Sequence, residues 1–187
     1  MTAGPPQAPW DAVVIAGGTS RRMGEDKLAL DVGGRTMLNR VVDAVADARH
    51  VVVVGPQRET DRTVLWCRED PPGSGPASAL GTALAHVLSG RVVVLAGDQP
   101  LIRAGTVDRL LASIAYDGAV VVDGEGEPQW LCSAWRTDAL RSASLQPNGS
   151  LHAALSQLRW TAVEVDAATA LDCDTPEDLR RARELAQ

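Results

Sequence analysis

Aromatic side chains are almost missing from this 187-residue chain, which has no Phe, a single Tyr (Tyr116) and five Trp, 3% in all. Binding of single-stranded nucleic acid by base stacking needs aromatic platforms, so that mode is not expected. Val, Leu and Ala must fill the interior. Cysteine is scarce as well: Cys67, Cys132 and Cys173 form an odd, widely spaced set without a CxxC pair, which fits neither a disulfide framework nor a zinc site and suits a reducing cytoplasm. Positive charge is in deficit, with 18 Lys and Arg against 24 Asp and Glu and a net charge of −6, so a polyanion has to be met by a local basic cluster. General nucleic-acid binding is not expected on that balance. No apolar run reaches membrane-spanning length. The opening MTAGPPQAP lacks the basic start and apolar segment of a signal peptide, and residues 1–9 read as a flexible arm before a single domain, 10–187. With 45% hydrophobic and 22% charged residues, the composition is that of a globular protein.

Beyond Trp10, short Val-rich runs alternate with stretches of helical periodicity, the pattern of a mostly parallel sheet covered by helices. The spacing predicts strands at Ala12–Ala16, Val51–Val54, Thr63–Trp66, Arg91–Ala96, Ala119–Val122 and Thr161–Val165. A further strand, Gln129–Trp135, is expected at an edge or in a ribbon. Helices are expected over Met37–Ala48, where Leu38, Val41, Val42 and Val45 share a face, and over Ser78–Leu88, Val107–Ala115 and Leu151–Leu158. A terminal helix follows Thr175: Thr175 can cap it, Pro176 suits the first turn, and Asp178 completes a capping-box spacing. There is no internal repeat.

Open parallel sheets bind ligands beyond the carboxyl ends of their strands, so the residues that follow each strand carry the functional argument. The first strand runs into Ala16, Gly17 and Gly18 and then a basic stretch with Arg21, Arg22 and Lys27. Glycine lets backbone N–H groups approach a base or phosphate. Arginine offers a planar fork to phosphate oxygens and lysine a mobile point charge. The loop is neither GxxxxGK[ST] nor GxGxxG, which disfavours P-loop chemistry and a dehydrogenase-type cofactor site. A second strand ends in AGDQP, placing Asp98 where a carboxylate can share Mg²⁺ with substrate phosphates. A third ends in DCDTP, where either Asp172 or Asp174 can be the second ligand. Each feature alone also reads as an ordinary turn; together they make a two-carboxylate, one-cation, triphosphate site. His50, His86 and His152 have no metal-binding spacing, and no GxSxG elbow supports a serine nucleophile.

The run IAGGTSRRMGEDKLAL resembles the signature of the MobA-like nucleotidyltransferase family, and within it the molybdenum cofactor guanylyltransferases. The resemblance continues in order through Asp70 and GSGPASALG, AGDQPLI, QWLCSAWR and DCDTPEDL. It implies a Rossmann-like α/β three-layer sandwich of the nucleotide-diphospho-sugar transferase type. It also implies transfer of GMP from GTP to a molybdopterin-type acceptor bound to molybdenum, with release of pyrophosphate. By the same resemblance, Ala16, Gly17 and Gly18 approach guanine and ribose, and Arg21, Arg22 and Lys27 meet the phosphates. Asp70 lies near the nucleotide, Asp98 binds Mg²⁺ with Asp174 ahead of Asp172 as its companion, and Gln129–Trp135 lines the acceptor site. Arg22, Lys27 and Asp98 are the expected catalytic residues. Asp174 stands where many relatives carry Asn. Expected partners are GTP, the acceptor and proteins of molybdenum cofactor biosynthesis or apo-molybdoenzymes, with no nucleic acid and no membrane. AlaGlyGly at 16–18 favours guanylyl over cytidylyl transfer. A non-catalytic nucleotide-binding regulator is the alternative from another class.

Overall fold

In the computed structural model, which describes residues 8–18, 26–166 and 168–186, the Val-rich runs are the strands of one sheet. These are β1 (Asp11–Ile15), β4 (Val51–Val54), β5 (Leu65–Cys67), β6 (Arg91–Ala96), β7 (Gly118–Val122), β8 (Pro128–Arg136) and β9 (Trp160–Glu164), while β2 (Asp31–Val32) and β3 (Arg35–Thr36) form a separate two-stranded ribbon. The sheet order is β5-β4-β1-β6-β8-β7-β9. β8 is antiparallel to both of its neighbours and every other pairing in the sheet is parallel. The expectation of an edge position for Gln129–Trp135 is therefore corrected: β8 lies inside the sheet between β6 and β7. That place also corrects the acceptor-site expectation in part. Cys132, Ser133, Ala134 and Trp135 are fully buried and cannot line an open site, which leaves only half-exposed Gln129, Trp130 and Leu131.

Alternation of side chains across each strand builds two apolar layers. One face, with Ala12, Val14, Val53, Val93, Leu95 and Val121, packs against α1 (Met37–Ala44) and α3 (Ala104–Ala112). The other, with Val13, Ile15, Val52, Val94 and Val120, packs against α2 (Gly75–Leu84), α4 (Thr137–Ser142) and α5 (Leu151–Leu155). A smaller cluster joins β2 and Leu101 to α6 (Pro176–Leu185). The result is the α/β three-layer sandwich with a mostly parallel sheet. Trp135 shows how a core poor in aromatics admits one: it faces Gly118 across the β7–β8 ladder, and a Cβ there would lie 2.2 Å from the ring. α2 begins earlier than expected because Pro76 occupies its first turn, where a missing N–H does no harm. The capping box predicted at Thr175 and Asp178 is present.

Candidate active site

Parallel pairing places the carboxyl ends of β1, β4, β5 and β6 along one rim. Backbone bonds then draw three sequence motifs together there. Gly97 N–H donates to Ile15 O at 2.9 Å, and Cys173 N–H donates to Asp98 O at 3.0 Å, so the ends of β1 and β6 and the segment before α6 become neighbours. Gly97 permits this approach, since a Cβ would stand 3.3 Å from Ile15 O and 3.2 Å from Leu28 Cδ1. Arg40 fixes the turn after β6 by donating from Nε to Pro100 O at 2.7 Å.

Lys27 is the centre of the cluster. Its Nζ donates to Asp98 Oδ2 at 2.5 Å and to Asp174 Oδ1 at 2.7 Å, with the lysine side chain only 12% exposed. Burial pulls its pKa down, and the hydrogen bonds and charges of Asp174 and Asp98 outweigh that, so Lys27 titrates above its ordinary value and stays an ammonium. Asp174 is held by the start of α6: Asp178 Oδ2, which accepts the capping-box bond from Thr175, also accepts from Asp174 N–H at 3.2 Å. Asp172 is an exposed residue, yet desolvation of its carboxyl, followed by the Asp98 charge, pushes it up to about 6. Cys173, buried between the two acids, is pushed up to about 12, chiefly by burial. It is an inert thiol.

Among the described residues, no three or more His, Cys, Asp or Glu side chains converge to hold a metal by themselves. A Mg²⁺ ion shared with phosphates requires only one or two carboxylates. Asp98 and Asp174 fit that donor set, since both already converge on a single cationic atom.

Arg21 and Arg22 lie outside the described residues. Gly17 and Gly18 are exposed at the end of β1, whereas Ala16 is buried with its carbonyl turned to Arg58. Asp70 is exposed, while the carboxylate beside it, Glu69, is buried, with 6% exposure. Two functional candidates thus escape a reading of motifs. Arg58 forks the Asp26 carboxylate, Nε to Oδ2 at 2.6 Å and Nη2 to Oδ1 at 3.0 Å, and donates from Nη1 to Ala16 O at 3.0 Å. It thereby ties the residue before Lys27 to the end of β1. No local pattern around Arg58 signals this, because it stands in an irregular loop 32 residues away from Asp26. Glu69 carries a weak signal, an acid close behind β5. Its neighbour Asp70 masks it.

Residues 12–145 match the MobA-like NTP transferase domain. The chain belongs to that family. A molybdenum cofactor guanylyltransferase of Xanthomonas euvesicatoria pv. vesicatoria is 31% identical over 188 aligned residues, covering 94% of this chain and 95% of the relative. Among solved structures, the molybdopterin-guanine dinucleotide biosynthesis protein A of Archaeoglobus fulgidus superposes with a TM-score of 0.71 at 20% identity, covering 94% of this chain and 97% of that one. The 2-C-methyl-D-erythritol 4-phosphate cytidylyltransferase of Thermus thermophilus superposes with a TM-score of 0.73 at 22% identity, covering 93% and 97%. These two likenesses establish the nucleotidyltransferase fold. Family membership supports nucleotidyl transfer as the activity of this MobA-like chain. No helix among the described residues is long and apolar enough to cross a membrane.

Proposed function

We propose that the chain transfers GMP from GTP to molybdenum-bound molybdopterin and releases pyrophosphate. The observation that carries this reading is the Lys27–Asp98–Asp174 cluster at the strand ends of a MobA-like domain. The guanylyl donor and the acceptor are inferred from the guanylyltransferase related over nearly the whole length. An oxygen of the acceptor's terminal phosphate attacks the α-phosphorus in line, the new P–O bond forms, and the bond to the β-phosphate bridging oxygen breaks with its electron pair leaving on pyrophosphate. No covalent enzyme intermediate is needed.

The protein's part is positioning and charge. Gly17 and Gly18 leave room for the nucleoside, and Lys27, a long flexible cation, follows the triphosphate as negative charge shifts to the leaving group. Arg22 and Arg21 are assigned to the same phosphates. Asp98 and Asp174 are the residues that would hold Mg²⁺, which when bound neutralises phosphate oxygens and polarises the reacting phosphorus. Displacement of Lys27 from its carboxylates toward the nucleotide fits both demands with one rearrangement. The test mixes purified protein with Mg²⁺, molybdenum-loaded molybdopterin and each of the four nucleoside triphosphates, and follows pyrophosphate and dinucleotide. GTP-dependent product is expected. Product with CTP alone assigns cytidylyl transfer, and nucleotide binding without pyrophosphate identifies a regulator.

A further inference from the structure

A second concavity lies at the opposite end of the sheet from Lys27 and Asp98. It has a volume of about 830 Å³ and opens at the amino ends of β4 and β5, beside the segments that follow α1 and α2. That volume falls within the roughly 300–1,000 Å³ of small-molecule sites. β4 spans four residues, so roughly 10 Å of strand separates the hollow from the carboxyl rim. Its walls include Val51, Val64, Leu65 and Leu88. Leu88 is 73% exposed and Leu65 44%, two of the four large apolar side chains that the described residues leave in water. Single exposed leucines need no explanation; two that converge on one hollow mark an apolar surface that folding leaves uncovered.

The ionisable groups on the same walls are all basic. Arg49, Arg62, His50 and His86 line the hollow and, among the described residues, no Asp or Glu does, in a chain of net charge −6. The acids bonded to these groups are already engaged. Asp11 is fully buried, accepts from Leu88 N–H, Ser89 N–H and Ser89 Oγ, and lies 3.1 Å from His50 Nδ1, which fixes the imidazole and leaves Nε2 for another partner. Asp43 holds Arg62 through Nε at 3.1 Å, which leaves the terminal nitrogens of that guanidinium. Arg49 and His86 make no side-chain hydrogen bond or ion pair among the described residues. A guanidinium presents a planar fork to carboxylate or phosphate oxygens, and the pairing strengthens where apolar walls exclude water. Inorganic phosphate satisfies the arginines and leaves Leu65 and Leu88 wet; a neutral hydrocarbon does the reverse. The two features together select a molecule that carries both.

We propose that this hollow is a second binding site, separate from the nucleotide cleft, for a small organic anion: a carboxylate or phosphate monoester carried on an apolar body. The body covers Leu65 and Leu88, and the anionic head meets Arg49 and Arg62, with the two imidazoles as further hydrogen-bonding groups. β5 offers an edge of only three residues, too short to hold an added strand, which favours a small molecule over a peptide. The site does not depend on which nucleotide the cleft takes.

The test follows anilinonaphthalene sulfonate, an aromatic anion that fluoresces in apolar surroundings, on the full chain, with octanoate, octyl phosphate, octanol and inorganic phosphate as competitors. Saturable binding is expected, displaced by octanoate or octyl phosphate about 10-fold more effectively than by octanol or inorganic phosphate, and the stronger of the two identifies the head group. Saturating GTP with Mg²⁺ should leave probe affinity within about 2-fold, since the cleft is elsewhere; displacement by GTP places the probe in the cleft and overturns the proposal. Arg49→Glu and Leu88→Glu replace exposed side chains, so both should melt within about 1–2 °C of wild type, keep nucleotidyl transfer and bind the probe about 10-fold more weakly. Unchanged probe affinity in both variants overturns the proposal. The comparison of octanol with octanoate needs no variant: equal potency overturns it too. A chain that sediments as a dimer, becomes monomeric on Leu88→Glu and binds no probe assigns the hollow to a second copy and overturns it equally.

Discussion

At the amino ends of the strands, the carboxylate of Asp11 is fully buried and fully answered. It accepts from Leu88 N–H at 2.6 Å and from Ser89 N–H and Ser89 Oγ at 2.8 Å each, and lies 3.1 Å from His50 Nδ1. At the carboxyl ends, Glu69 keeps one oxygen without a hydrogen-bond partner among the described residues, and Asp98 and Asp174 both accept from the Lys27 ammonium, with Asp172 near enough for its carboxyl to feel the charge of Asp98. The same residue chemistry thus does two jobs. Where every lone pair is matched within the chain, the acid joins β1 to the segment after α2. Where an acid has fewer partners among the described residues, the proposed function gives it a substrate or cation, and on that proposal a structural carboxylate is separated from a functional one without any motif.

Breaking the structural end should have the largest effect. Asp11→Ala strands two backbone N–H groups and a hydroxyl, and is expected to lower stability by about 4 kcal/mol, or Tm by about 10 °C. Turnover per folded molecule should be unchanged; denaturant melts paired with pyrophosphate release check both, and a loss of kcat larger than the loss of folded protein would erase the distinction between the ends. Asp98→Ala is the mirror experiment. Lys27 keeps Asp174 as a partner, so stability should change little while turnover falls about 10²-fold, about 2.7 kcal/mol in the barrier. Near-normal rates at saturating Mg²⁺ would remove Asp98 from the machinery.

How far such a contrast is visible in sequence depends on which forces are local. The Val-rich strands and the Thr175–Asp178 capping box follow from periodicity and from contacts three residues apart, and both appear in the structure. Asp98 is legible as a candidate because the carboxyl end of a buried strand is a place that topology makes special. The interior position of β8 is not legible, since its alternation serves an edge or a centre equally well and the choice is made by β6 and β7. Arg58 and Glu69 are hidden for a related reason. Their roles arise from partners 32 and 42 residues distant in the case of Arg58, and from burial in the case of Glu69. Arg58 leaves no spacing to read, and Glu69 leaves only its place close behind β5.

A smaller effect is expected at Gly17, which the proposed function places against the nucleoside although it bears no charge. A Cβ there meets Glu69 Oε1 at 3.6 Å, Val54 O at 3.7 Å and Gly55 Cα at 3.8 Å, all ordinary contacts. Gly17→Ala should leave Tm within about 1 °C and raise KM for GTP about 10-fold, since the methyl group fills the space a nucleoside needs. Gly55, one strand over, has φ +146° and would place its Cβ 2.6 Å from Ala16 O. Gly55→Ala should therefore act on stability, and a Gly17→Ala protein that melts as early would show Gly17 to be structural too.

The smallest effect sets the two ends against each other in pH. Burial alone would raise the Asp11 carboxyl, and the N–H groups of Ser89 and Leu88, the Ser89 hydroxyl and His50 outweigh it, so its folded pKa lies below the ordinary value. Its contribution is whole above pH of about 4 and is lost as pH falls through that folded pKa. Asp172 has the opposite sign. With its carboxyl pushed up to about 6 by desolvation and by Asp98, the folded protein binds a proton that the unfolded chain has released. Stability from this group therefore falls as pH rises between about 4 and 6. In Mg²⁺-free protein, Asp172→Asn should melt about 1–2 °C above wild type at pH of about 7 and converge with it below about pH 4, a small gain because the carboxyl keeps an edge in water. Melting curves for the two proteins that stay parallel across that range would mean that the acids at the carboxyl ends are as well compensated as Asp11, and the contrast between the two ends of the sheet would rest on Glu69 alone.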